Sequence, residues 1–161
     1  MDFDKRLERA ISRGHQARDS EGRQRAEKEV SEEDFRNIHS RCRLDLTEHI
    51  ESCLRKLDDH FPGFRFETIV DEDGWGARIS RDDFRGRRGR EAANEYSRFE
   101  MVIRPFGTAR IVELAAKATV RNREIFNRTH YQFLSQIQLD AFNETIDLWV
   151  LEFAELYAAN E

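Results

Sequence analysis

Between Phe64 and Phe133 apolar residues recur at every second position in five stretches joined by short connections. A period of two is the signature of a half-buried strand. Phe64, Phe66, Thr68 and Val70 alternate with Arg65, Glu67 and Ile69, and the run ends in the tight turn DEDG. Trp75, Ala77 and Ile79 then alternate with Gly76, Arg78 and Ser80; Phe99, Met101 and Ile103 with Arg98, Glu100 and Arg104. Val112, Leu114, Ala116, Ala118 and Val120 oppose Glu113, Lys117 and Arg121, and RNRE turns the chain into a shorter strand around IFNRTHYQF. Parallel strands need crossovers of a dozen or more residues, so this is an antiparallel meander with one wet face and one apolar face that must be covered.

Two segments with helical spacing supply the cover. Ser31 and Asp34 read as a capping box opening a long helix, with Phe35, Ile38, Cys42, Leu46, Ile50, Cys53, Leu57 and Phe61 on one stripe. Phe61, Pro62 and Gly63 stop it. Near the other end, Ser135 and Gln138 make a second capping pattern before a stripe of Leu139, Phe142, Ile146, Trp149, Val150, Phe153 and Tyr157. The expected fold is α+β, a two-layer sandwich: an antiparallel meander sheet of about five strands covered on one face by a long N-terminal helix and a C-terminal helix. Residues 1–30 are dominated by Arg, Glu, Lys and Asp, with only a short stripe of Phe3, Leu7, Ala10 and Ile11. They read as a frayed arm or as a helix that orders on a partner, and residues 31–161 as a single domain.

Charge restricts the partners. Charged residues make up 37% of the 161 positions against 39% hydrophobic ones, so much of the chain is helix surface rather than core. A net charge of -5 has the wrong sign for a protein whose whole surface grips phosphate. The first residues lack the apolar core of a signal peptide, and no stretch approaches a membrane span. The expectation is a cytoplasmic protein without a membrane partner, in which the two glycosylation sequons at Asn127 and Asn143 are chance matches. Cys42 and Cys53 lie on one helix roughly 16 Å apart, too far for a disulfide, and are expected to be free thiols in a reducing compartment.

Four clusters carry candidate chemistry. RDDFRGRRGR at 81–90 offers Arg81, Arg85, Arg87, Arg88 and Arg90 to an anion or a nucleic acid, with Arg65, Arg78, Arg98, Arg104 and Arg121 on the wet face extending the patch. Against this, Glu67, Glu100 and Glu113 share that face, and Asp82, Asp83, Glu91 and Glu95 flank the stretch. It is read as a solvated hairpin loop, with residues 85–93 mobile and nearly irrelevant to stability, and nucleic acid is not the expected partner. His39 with Cys42, and His49 with Cys53, each have metal-ligand spacing, but one helix cannot bring both pairs to one ion. A zinc site would need a second helix, so neither a metal nor a cofactor is expected. Asp71, Asp73, Gly76 and Asp82 echo a calcium loop but lack its last glutamate and its flanking helices, and a hairpin turn explains them. Asn127, Arg128, His130 and Tyr131 are candidates for a small-ligand cleft near the start of the last helix.

None of the common phosphate-binding loops, nucleophile elbows or two-histidine zinc motifs is present, so an enzyme is not expected. In element order the chain resembles the small acidic chaperones of type III secretion, which also flank a sheet with helices and dimerise. That resemblance implies a homodimer; the sheet here reads as continuous where theirs is interrupted by a helix. The leading expectation is a non-catalytic, self-associating protein-interaction domain, adaptor- or chaperone-like, because two apolar helix faces exceed what one small sheet can cover.

Overall fold

The computed structural model describes residues 2–85 and 93–161, apart from the side chains at 27–30, 84, 85 and 93. The chain divides into two compact units, Met1–Asn37 and Ile38–Glu161. Helix α1 (Phe3–His60) begins in the first and ends in the second. Ser31, expected to open a helix, therefore lies inside one. Nothing between Arg23 and His60 is glycine or proline, and the helix formers Glu, Arg and Leu are among the commonest residues, so no residue there halts propagation. The stop is where the sequence placed it. Gly63 takes φ 107°, a conformation a side chain would resist.

The second unit has the expected two layers. Strands β1 (Arg65–Asp71), β2 (Gly74–Arg85), β3 (Ala93–Ile103), β4 (Ile111–Val120) and β5 (Arg123–Phe133) form one antiparallel sheet in the order β1-β2-β3-β4-β5. A 3-10 turn (Leu134–Gln136) leads to α2 (Leu139–Ala159). The Ser135–Gln138 capping pattern does not form: Gln138 holds the N-cap position without a side-chain cap, and its own N–H is accepted by Gln132 Oε1. The β4–β5 turn matches its sequence. At Arg121 and Asn122 both φ values are positive, as a two-residue hairpin of this twist requires. The Asn122 side chain then accepts from the Tyr96 N–H and donates to the Asn94 carbonyl, tying the β4–β5 turn to the start of β3.

Alternation places the core. Ala77 and Ile79, Phe99 and Met101, and Leu114, Ala116 and Ala118 stand on one face and are buried. Against them α1 sets Cys42, Leu46, Ile50, Leu54 and Leu57, and α2 sets Phe142, Ile146, Val150, Phe153 and Tyr157. Rings from both layers interlock: Phe153 stacks on Phe99 at 4.7 Å, and Phe64 meets Tyr157 edge-on at 4.9 Å.

Three details differ from simple periodicity. Leu54, not Cys53, continues the buried stripe of α1, leaving Cys53 half-buried and turned toward α2. Val70, expected inward, is 71% exposed, because β1 is an edge strand and Val70 stands beside its hairpin. Ile69, expected outward, is buried in a recess of the charged face that Arg78, Arg98 and Glu100 also line. The strand β5, read as short, runs as long as β3.

Candidate functional site

The second unit presents two surfaces: the open face of the sheet and the outer side of the helix pair. On the open face Arg78 bridges Glu67 at 3.1 Å and Glu100 at 3.4 Å, and Arg98 reaches Glu100 at 3.3 Å. Arg65 pairs with Glu67, Arg104 with Glu113, and Arg121 with Glu95. Every arginine expected on the wet face thus has a glutamate, Arg65 and Arg98 within their own strands and Arg78, Arg104 and Arg121 across to another, and this pairing neutralises the patch.

The arginine-rich stretch divides. Residues 81–85 are strand, not loop: the β2–β3 ladder continues through Asp82–Tyr96 and Asp83–Glu95 to Arg85–Ala93. The apolar period fades there, but the backbone pairing does not need it. Arg81 is committed to the end of α1, donating to the Pro62 carbonyl at 2.8 Å and to Asp83 Oδ1 at 2.7 Å. The Asp83 hydrogen bond raises its pKa further. Arg87, Arg88 and Arg90 lie outside the described residues, as do the side chain of Arg85 and most of the segment 85–93 expected to be mobile.

The cleft candidates are split by the strand. Arg128 and His130 point under α2, where Arg128 donates to Glu152 Oε1 at 2.8 Å and the His130 ring meets Phe142 edge-on at 5.0 Å. Asn127 and Tyr131 fall on the opposite face, both exposed. Their shared stretch of chain does not become a shared cavity. The calcium-like residues also separate. Asp71 accepts from the Asp73 N–H in the β1–β2 turn, while Asp82 lies eight residues along β2 from Gly74, about 26 Å away.

Of the histidine–cysteine pairs, the first is structural: His39 is buried, its Nε2 is 3.1 Å from the Arg104 carbonyl, and Cys42 is core. The second gains a third member. Asp147 on α2 places Oδ1 2.7 Å from His49 Nε2, and Cys53 Sγ lies 3.6 Å from both atoms. Burial, reinforced by the Asp147 charge and hydrogen bond, pushes the Cys53 thiol up to about 11. The sequence presents Asp147 only as one of an acidic row with Asp140, Glu144 and Glu155, and nothing local distinguishes it.

Beside that trio a groove of about 590 Å³ runs between the helices, lined by Leu57, Phe61, Val150, Leu151 and Ala154 among others. Asp147 is the carboxylate that α2 brings to the groove, and α1 adds Lys56 and His60; elsewhere α2 carries Asp140, Glu144, Glu152 and Glu155 and no basic residue. Leu148 and Leu151 on α2 are 57% and 63% exposed. In the first unit, Phe3, Leu7 and Ile11 on α1 are also exposed, at 71%, 46% and 51%, among Lys5, Arg6, Arg9 and Arg13. Among the described residues no helix is long and apolar enough to cross a membrane.

No protein-family model matches the chain, and neither a curated protein nor a solved structure is significantly similar to it.

Proposed function

We propose that this chain is a self-associating protein-interaction module, adaptor- or chaperone-like, in which the N-terminal helix of one copy lies in the helix groove of another. The supporting observation is the exposed stripe of Phe3, Leu7 and Ile11, three large apolar residues on the part of α1 that lies in the first unit, far along the helix from the Cys42–Leu57 stripe that the core buries. A helix so placed is marginal on its own and is stabilised by a partner surface. The groove offers that surface in the mode by which amphipathic helices dock. Charge adds a smaller contribution: Lys5, Arg6, Arg9 and Arg13 outnumber Asp2, Asp4 and Glu8 around the stripe, and α2 carries five carboxylates and no basic residue, although Lys56 and His60 of α1 also line the groove. The two free cysteines fit a reducing, cytoplasmic setting. Nucleic-acid contact draws less support, because the arginines of the open face are already paired.

Light scattering on the size-fractionated full chain tests the reading. The expected mass is a dimer or larger at low salt, falling toward the monomer as salt rises. The double change Leu7→Asp with Ile11→Asp, and separately Leu151→Asp, should each give a monomer. A chain that is monomeric throughout, or an oligomer indifferent to the stripe, overturns it.

A further inference from the structure

His49 and Cys53 stand one turn apart on α1 and meet Asp147 of α2, which is 98 and 94 residues away in sequence. Two chemistries use such a trio. A cysteine nucleophile needs an imidazole that takes the thiol proton on one nitrogen while a carboxylate holds the other. Here a single nitrogen, His49 Nε2, faces both partners. Asp147 is the acceptor, so the proton sits on Nε2 and the nitrogen a general base would use is taken. The raised thiol also runs opposite to an activated cysteine. The geometry is wrong for a nucleophile.

It suits a cation. Tetrahedral zinc, bonded at about 2.0 Å to nitrogen and oxygen and about 2.3 Å to sulfur, sets N···S and O···S edges near about 3.5 Å and an N···O edge of about 3.3 Å. Both sulfur edges stand at 3.6 Å, and all three donor atoms lie within 4.8 Å of one another. Only the His49–Asp147 contact of 2.7 Å must widen, by about half an ångström, once a cation replaces the proton between them. Imidazole, thiolate and carboxylate are the donor types zinc takes. All three residues keep some exposure, so an ion has a path in.

We infer that His49, Cys53 and Asp147 form a binding site for a zinc-class divalent cation, with three ligands from this chain and a fourth position open beside the helix groove. Cys53 and Asp147 both line that groove, so there is room for a water as fourth ligand. Three protein ligands and a water is the open pattern, as opposed to the closed four-ligand structural one. Binding releases the thiol proton to solvent and leaves the imidazole proton on Nδ1, since metal takes the deprotonated sulfur and the bare nitrogen. The ion ties α1 to α2 and stabilises the folded chain by mass action. The site belongs to one chain and does not depend on self-association.

The test uses the full chain, freed of metal with a chelator and desalted. Zinc chloride is titrated by calorimetry, and cobalt(II) replaces it for spectroscopy. The expected results are one equivalent per chain, a raised melting temperature, and cobalt bands showing four-coordination with a thiolate charge-transfer component. Cys53→Ser should abolish the charge-transfer band, and both it and Asp147→Asn should weaken zinc binding by about tenfold or more, with the circular dichroism of the folded chain retained. Absence of zinc binding by the unaltered chain overturns the site. So does a thiolate band that survives Cys53→Ser in the folded protein.

Discussion

Arg98 and Phe99 are neighbours in β3 and occupy opposite environments. Phe99 is fully buried, stacked on Phe153 and edge-on to Phe126 at 5.8 Å. Arg98 keeps 31% of its side chain exposed and shares Glu100 with Arg78. One face of the sheet is held by apolar area removed from water, the other by charges that remain in it. The first contribution is large and local to a shape; the second is small per pair, because water screens what geometry brings together. Stability in the second unit should therefore be distributed very unequally across two surfaces of the same backbone.

The largest test of that inequality is Phe99→Ala. Removing this ring leaves a cavity among Phe126, Phe153 and the helices, and denaturant unfolding should show a loss of about 3–5 kcal/mol. A loss below about 1 kcal/mol would mean the core is not packed around this ring. Next comes Gly76→Ala, which shows that tolerance of the open face does not extend to the backbone. A Cβ at Gly76 would fall 1.8 Å from the Met101 carbonyl oxygen, so the strands must part. The expected loss is about 3 kcal/mol, or failure to fold.

A smaller effect is confined to alkaline solution. Burial holds the Tyr157 hydroxyl above its ordinary pKa, with the Arg81 guanidinium opposing the shift. The folded state thus keeps a proton that the unfolded state releases above about pH 10. Stability should be intact below that pH and fall as pH rises past it, and Tyr157→Phe should flatten this part of the profile. An unchanged profile in that variant would move the alkaline sensitivity elsewhere. The smallest expected effect is Arg98→Met, at about 0.2–1 kcal/mol and shrinking further in high salt. A loss matching that of Phe99→Ala would break the comparison, and the Glu67–Arg78–Glu100–Arg98 row would then be a cooperative network.

The sheet was readable because alternation is a local pattern with one physical cause, the opposite direction of successive side chains. The same rule separated Arg128 and His130 from Asn127 and Tyr131. It failed at edges: Val70 and Ile69 alternate as required, yet what covers each depends on neighbours along the hydrogen-bonding direction rather than along the chain. It also failed at Arg81 to Arg85, where strand pairing persists without an apolar signal.

The sequence by itself determined the elements, their antiparallel order, the helix stop at Pro62 and Gly63, and the ion-paired character of the open face, since each rests on residues a few positions apart. Only the tertiary structure decided that Leu54 rather than Cys53 enters the core, and that Asp147 stands against His49 and Cys53. The reason is the same in each case. Periodicity fixes a side chain's direction about its own axis, while the rotation and sliding of one helix against another is set by how two surfaces pack, and no residue carries that information alone.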